Sequence, residues 1–207
     1  MPLAEALAAA RAGLERGCGE VVLSGIDLGA WRDGEARLRD LLAAVAGLEG
    51  LRRVRLSSLE PRHVTPELIA LLEHPRVARH LHVPLQSADD AVLAAMRRPY
   101  TFAQYLAAVE GLQYLSREAM LSTDVIVGYP AEDEAAFART LEALESGRFG
   151  RAHVFTFSAR PGTAAAELPP LPAALVKERM GRALAAAEAA ALAARRAAPR
   201  PAPRRRG

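Results

Sequence analysis

Leu121-Ser122-Thr123-Asp124-Val125-Ile126-Val127-Gly128-Tyr129-Pro130 is the stretch that decides the fold. Residues 121–127 are rich in apolar and β-branched side chains, the composition of a strand, and the glycine and proline behind them stop it. A helical pattern follows at 132–146, then a short apolar run at 152–157 and a long alanine-rich helical pattern from 172 to about 196. Upstream, helices are expected at 101–115 and 89–96 and a strand at 80–85. Before these, Thr65 and Pro66 mark a helix start, as N-cap and first helical residue. A strand at 53–57, a helix at 35–48, a loop at 25–34, a strand at 21–24 and a helix at 3–16 complete the pattern. Strand, helix, strand in this rhythm means parallel strands joined by crossovers. Five such strands make an α/β fold, a partial (β/α) barrel.

In that architecture chemistry gathers in the loops at the carboxyl ends of the strands. Gly25-Ile26-Asp27 follows the first strand, Ser57-Ser58-Leu59-Glu60 the second, and Pro84-Leu85-Gln86-Ser87 the third. Gly128-Tyr129-Pro130 and Ser158-Ala159-Arg160 follow the last two. Strands serving only a core would have no need of polar groups at every end, so these are expected to converge on one mouth.

Composition bounds the rest. The chain has 207 residues, 51% of them hydrophobic, enough for one sizeable core. No basic n-region opens it and no apolar run reaches the ~18 residues of a membrane span, so a cytoplasmic protein without membrane contact is expected. The net charge of +3 is modest, and its excess lies in the terminal run around Arg195-Arg196 and Arg204-Arg205-Arg206. Cys18 is the single cysteine. A lone thiol cannot close a disulfide within the chain or share a metal with a second one, so it reads as incidental, and no metal ligand is assigned.

Four motifs occur in one order: Leu81-His82-Val83-Pro84-Leu85-Gln86-Ser87, Met96-Arg97-Arg98-Pro99-Tyr100-Thr101, the Thr123 to Pro130 segment, and His153-Val154-Phe155-Thr156-Phe157-Ser158-Ala159-Arg160-Pro161-Gly162-Thr163. Together they resemble the radical S-adenosylmethionine (SAM) methylthiotransferases, the MiaB-like family, from about residue 20 to about residue 179. Within that family the resemblance is strongest to the MtaB-type branch acting on threonylcarbamoyladenosine in tRNA. It implies a radical SAM barrel lacking its first strand and cluster loop, spanning residues 1–180, with 181–207 as a helix end and a disordered basic tail. It implies S-adenosylmethionine and a [4Fe-4S] cluster as cofactors, tRNA as partner, and a methylthio group added at C2 of the adenine by radical chemistry. The family holds its cluster with a Cys-x-x-x-Cys-x-x-Cys loop, and with one cysteine that loop is expected to lie upstream of Met1, leaving this chain inactive alone and without an assigned catalytic residue.

The resemblance also implies roles for individual residues. Ser57, Ser58 and Glu60 match the segment near the ribose and amino-acid part of S-adenosylmethionine, where hydroxyls and a carboxylate suit a polar zwitterion; a turn before Pro61 would use the same residues. Gln86, with Ser87, stands where cofactor or substrate is met. Ile126, Gly128, Tyr129 and Pro130 match the adenine contact, since a glycine lets a flat ring approach the backbone. Arg98 and Arg160 present planar forks to an anionic substrate group, although a helix-end arginine and a solvated turn explain them equally. His82 is expected to face the interior, as a satisfied core residue or a functional one. The family's Phe-Pro-Gly-Glu-Thr is Tyr129-Pro130-Ala131-Glu132-Asp133 here, and if that glycine needs a positive φ, Ala131 carries strain on the order of 1 kcal/mol.

Other readings stay open: a ribosomal-protein methylthiotransferase relative, a noncatalytic module binding S-adenosylmethionine or RNA, and a fragment completed by a second chain that bears the cysteines.

Overall fold

Val21, Val54, Leu81, Leu121, Val125 and Val154 occupy matching positions on five short strands, and their pairing sets the architecture. A computed structural model describes residues 1–115 and 119–197. Helix α1 (Leu3–Glu15) leads into β1 (Glu20–Leu23), and a hairpin of β2 (Arg32–Asp33) and β3 (Ala36–Arg37) precedes α2 (Leu38–Ala46). Then come β4 (Arg53–Leu56), α3 (Pro66–Ala70), β5 (His80–His82), α4 (Asp90–Ala95) and α5 (Phe102–Leu115). The order ends with β6 (Met120–Val127), α6 (Glu134–Glu145), β7 (Arg151–Thr156) and α7 (Ala173–Ala197).

β1 pairs in parallel with β4, and β5, β6 and β7 form a second parallel sheet in that order. The two are joined through a parallel bridge between Val54 and Val77, where the Val54 amide donates to the Arg76 carbonyl at 2.7 Å and the Ala78 amide to the Val54 carbonyl at 2.9 Å. The five long-expected strands thus stand side by side as an open parallel arc, β1-β4-β5-β6-β7, as the alternating pattern predicts. Alternate side chains point to opposite faces of a strand. One face, with Leu56, Leu81, Val125 and Val154, packs into a single core with Leu42 of α2, Leu112 of α5 and Phe137 of α6. The other face is the inner wall, on which Val22 and Phe155 are about half exposed, at 58% and 51%.

Local signals explain the helices. Thr65 caps α3, its hydroxyl accepting from the Leu68 amide at 3.3 Å, with Pro66 in the first turn. In α7, Ala183, Ala186, Ala187 and Ala190 are buried at helical spacing, and their small side chains bring the helix close against α6, β6 and β7. α7 runs without a break through residue 180 to Ala197, and of the segment 181–207 expected as a helix end and basic tail, residues 198–207 lie outside the described residues. The helix expected from residue 35 begins instead at Leu38, because Gly34-Glu35 makes a hairpin turn, with Gly34 at φ +56°, and Ala36–Arg37 returns as β3. A glycine opening a two-residue loop is a hairpin signal, which the apolar periodicity of the following helix masks.

Leu81 is fully buried at the centre of this core. Leu81→Ala is expected to cost about 2–5 kcal/mol by urea unfolding, and a loss below about 1 kcal/mol would place β5 outside the core.

Candidate functional site at the strand ends

The strand expected at 80–85 stops as regular structure at His82, although the Val83 amide still donates to the Ser122 carbonyl at 2.9 Å. The Leu85 and Gln86 amides both donate to the Asp124 carbonyl, at 3.1 and 2.8 Å, and the Gln86 carbonyl accepts from the Ile126 amide at 2.9 Å. Two residues opposite one make a bulge. It puts Gln86 at φ +67°, a conformation that costs a non-glycine residue about 1–2 kcal/mol. Side chains satisfy the carbonyls that the ladder abandons: Tyr105 and Thr123 donate to the Val83 carbonyl at 2.9 and 2.8 Å, and Tyr100 to the Pro84 carbonyl at 3.1 Å. Burial pushes the Tyr100 phenol up to about 12 and raises that of Tyr105 as well, so both remain donors.

Beyond the bulge the chain is anchored to α6. Ser87 is buried, its hydroxyl 3.3 Å from that of Thr140, so it serves the turn and is not presented to a ligand. Asp89 caps α4 by accepting from the Val92 amide at 2.9 Å and from Arg139 Nε at 2.9 Å. Burial alone would raise the Asp89 carboxyl, but the Val92 amide and Arg139 outweigh it and hold it below its ordinary 3.8. A depressed folded pKa contributes stability above the ordinary value that is lost as pH falls through the folded one. Asp89→Ala is therefore expected to cost about 1 kcal/mol near neutral pH as a lost cap. In urea titrations its deficit should shrink as the pH is taken below 3.8; a deficit independent of pH would show the carboxylate is not the source.

Three side-chain atoms at strand ends, Ser57 Oγ, Glu60 Oε2 and Gln86 Oε1, and Nε of Arg98 in the segment between α4 and α5 are buried without a hydrogen-bond partner. Glu60 lies 3.5 Å from both Arg98 Nη1 and Arg62 Nη2, and the Leu59 amide donates to the His82 carbonyl at 2.9 Å, tying this segment to β5. An orphaned buried polar group costs about 1–3 kcal/mol, so these are the atoms that a polar ligand would satisfy. Ser58 is exposed beside them. Arg160 is exposed in the loop after β7, its carbonyl accepting from the Thr163 hydroxyl at 2.8 Å, and no contact among the described residues joins it to Glu60 or Arg98.

The Ile126 to Pro130 segment is built from behind. Gly128 is buried at φ +78°, and a Cβ there would stand 2.9 Å from both Cγ atoms of Val176 in α7. Its amide donates to Glu132 Oε1 at 3.0 Å, and the same oxygen accepts from Arg179 Nη1 at 2.7 Å. Arg179 also bonds the Glu132 carbonyl at 2.9 Å and lies 5.1 Å from the centre of the Phe137 ring. Glu132 and Arg179 are both buried; burial, the dominant effect, raises the Glu132 carboxyl against the opposing pull of Gly128 and Arg179. Glu132 stands at the glutamate of the family's motif, but its pairing with Arg179 carried no sequence signal, because the partners are 47 residues apart. The Tyr129 side chain belongs to the core, its hydroxyl donating to the Ala95 carbonyl at 2.9 Å and its ring edge-on to Phe157, so only its backbone remains for a ligand. Ile126 and Pro130 are half-buried. Ala131 has no positive φ and carries none of the strain the glycine comparison predicted. Gly128, Thr156, Phe157, Val176, Lys177 and Met180 line a cavity of about 450 Å³ beside this segment. Gly128→Ala is expected to destabilise by at least about 1–2 kcal/mol through its φ, and adding Val176→Ala should recover only the steric part. Full recovery in the double variant would show that the backbone conformation costs nothing.

The inner wall carries a hydrogen-bonded chain that the sequence only hinted at through His82. His80 Nε2 and His82 Nδ1 each lie 2.8 Å from Ser122 Oγ, and His82 Nε2 lies 3.0 Å from Asp124 Oδ2. A carboxylate only accepts, so the proton on His82 Nε2 faces Asp124; Ser122, with one hydroxyl proton, can donate to only one of the two rings and accepts from the other. Burial first, then Arg55 and His82, lowers the His80 pKa and keeps that ring neutral. Ser122 is only 3% exposed, which excludes it as a nucleophile despite its serine–histidine–aspartate neighbours.

The residues present fit the two expected cofactors differently. The orphaned atoms of Ser57, Glu60, Gln86 and Arg98 suit the polar half of S-adenosylmethionine. Cys18 is an exposed lone cysteine, and among the described residues no three His, Cys, Asp or Glu side chains converge on a metal, so these residues do not hold a cluster.

A family model described as the radical SAM superfamily matches residues 1–144. A tRNA-2-methylthio-N(6)-dimethylallyladenosine synthase of Syntrophotalea carbinolica is 39% identical over 192 residues, covering 90% of this chain and 44% of its own length. A protein of the same name from Salinispora arenicola is 45% identical over 150 residues, covering 72% and 30%. The chain thus spans less than half the length of these relatives. Among solved structures, coproporphyrinogen III oxidase (HemN) from Escherichia coli superposes with a TM-score of 0.68 at 13% identity, covering 91% of this chain and 46% of that one. The archaeal Elp3 of Methanocaldococcus infernus superposes at 0.55 and 12% identity, covering 90% and 49%. The strand-end site on an open parallel arc and the match over residues 1–144 agree: the chain belongs to the radical SAM superfamily.

Proposed function

We propose that this chain is the barrel portion of a tRNA methylthiotransferase of the MiaB-like family, and that it works in the cytoplasm. The observation carrying this reading is 39% identity to a named methylthio synthase across 90% of the chain. Among the described residues no helix is long and apolar enough to cross a membrane, which is compatible with a tRNA substrate. The names of the relatives carry dimethylallyladenosine, and that nucleoside replaces threonylcarbamoyladenosine as the proposed substrate.

The residue roles follow the geometry. Ser57, Ser58, Glu60 and Gln86 take the ribose and amino-acid part of S-adenosylmethionine, with Arg98 oriented by Glu60 to meet a carboxylate or phosphate. Ile126, Gly128 and the Tyr129-Pro130 backbone take the adenine, held in place by Glu132 and Arg179. Arg160, exposed on the rim, meets an anionic group of the RNA. When bound, S-adenosylmethionine supplies the radical initiator and the methyl group; cluster ligation is assigned to no residue of this chain.

Deleting the gene in its source organism and profiling tRNA nucleosides by mass spectrometry tests this. The expected result is loss of 2-methylthio-N6-dimethylallyladenosine with accumulation of its unthiolated precursor. Loss of a methylthio-threonylcarbamoyl nucleoside would restore the other substrate, and an unchanged profile would sink the enzyme reading. Complementation with Glu60→Gln should restore less than about a tenth of the product, the scale of losing a charged hydrogen bond.

A further inference from the structure

Apart from Ile126, the inner wall of β6 and β7 holds groups with no role in the cofactor contacts above. In the parallel register Asp124 stands opposite His153 and Ile126 opposite Phe155, so all four side chains share that face. Phe155 is 51% exposed, large for an aromatic in a strand, and His153 lies nearly parallel to it at 22°, with centroids 6.4 Å apart. Asp124 uses Oδ2 for His82, and no described residue bonds its other oxygen. The chain His80–Ser122–His82 fixes the carboxylate from below.

We infer that this face is a platform for the purine base of the substrate nucleoside, with Phe155 stacking on the ring and Asp124 accepting a hydrogen bond from its exocyclic amine. A flat aromatic beside an oriented acceptor is what a base extruded from its stack requires: a π-face to replace lost stacking and an edge group to read it. With strands about 4.8 Å apart and a rise of about 3.3 Å per residue, diagonal neighbours such as Asp124 and Phe155 are about 8 Å apart, a span that a purine lying over Phe155 covers to reach Asp124. An N6-alkylated adenine keeps one N–H, which matches a site presenting an acceptor. Asp124 and Phe155 thereby become specificity-determining residues, and His82 the positioning residue for Asp124. The inference rests on the methylthiotransferase reading and names the part of the chain that reads its substrate.

The test is calorimetric titration of the 207-residue chain with N6-dimethylallyladenosine and, separately, with S-adenosylhomocysteine as a stable cofactor probe. Phe155→Leu, which keeps apolar volume and removes the ring, should weaken nucleoside binding about tenfold, and Phe155→Trp should restore it. Asp124→Asn turns the free acceptor into a donor and should cost about tenfold for the nucleoside. All three variants should bind S-adenosylhomocysteine within about twofold of wild type. Circular dichroism and thermal midpoints identify any variant that fails to fold, and the half-exposed Phe155 pair then carries the decision. If Phe155→Leu weakens S-adenosylhomocysteine instead, the ring serves the cofactor and the inference is overturned. It is equally overturned if the wild type fails to bind the nucleoside, or if the folded variants bind it unchanged. Those results leave the enzyme reading untouched, because that stands or falls on the tRNA nucleoside profile.

Discussion

The carbonyl of Asp124 accepts from two consecutive amides, Leu85 and Gln86, and much of the candidate site depends on that one irregularity. The amides that this segment turns toward β6 come from alternate residues, Val83 to the Ser122 carbonyl and Leu85 to that of Asp124, and Gln86, one residue further on, bonds Asp124 as well. That extra residue is a bulge. Its consequences are local and specific: Gln86 is forced to a positive φ, Tyr100, Tyr105 and Thr123 are drawn in to satisfy carbonyls, and the turn is tied to α6 through Ser87 and Asp89. Without the bulge, Gln86 would continue the alternation of β5 and its amide group would stand elsewhere.

A second constraint works from the far side of the sheet. Gly128 can hold φ +78° with Val176 against it because it has no side chain, and its amide is kept in place by a carboxylate that would be costly to bury alone. Arg179 provides the countercharge from α7 and rests on Phe137. The long alanine face of α7 lets that helix approach closely enough for the pair to form. Removing either partner would leave a charge buried under the strand end, so the pair acts as a condition on the geometry of the Ile126 to Pro130 segment more than as a source of net stability.

The two faces of β6 divide the labour. Leu121, Thr123, Val125 and Val127 are buried under the helices, while Ser122, Asp124 and Ile126 look onto the inner wall. The polar inner wall is internally satisfied at its lower level by the His80–Ser122–His82 chain. At its upper level, Phe155 is half exposed and one oxygen of Asp124 has no partner among the described residues, and Ser57, Glu60, Gln86 and Arg98 add buried atoms without a partner. The wall therefore grades from structure to site along the strand direction, consistent with chemistry at the carboxyl ends of parallel strands.

Element order and type were legible in the sequence, because strand and helix periodicities differ and because Thr65-Pro66 and Gly128 are local signals whose meaning does not depend on distant partners. The polar ends of successive strands, and the one-cysteine composition that denies this chain its own cluster, were legible for the same reason. Tertiary structure alone decided the rest. The Glu132–Arg179 pair joins residues 47 apart, and His82 finds Asp124 across 42; no periodicity marks either. Tyr129 and Ser87 sit inside motifs yet serve the core and a turn, since only packing decides which way a side chain in a short loop faces. Sequence by itself determined which groups lie at the strand ends; the bulge at Leu85-Gln86, the close approach of α7 and the register of β6 with β7 determined which of them remain free for a ligand, because hydrogen-bond satisfaction is settled among neighbours in space.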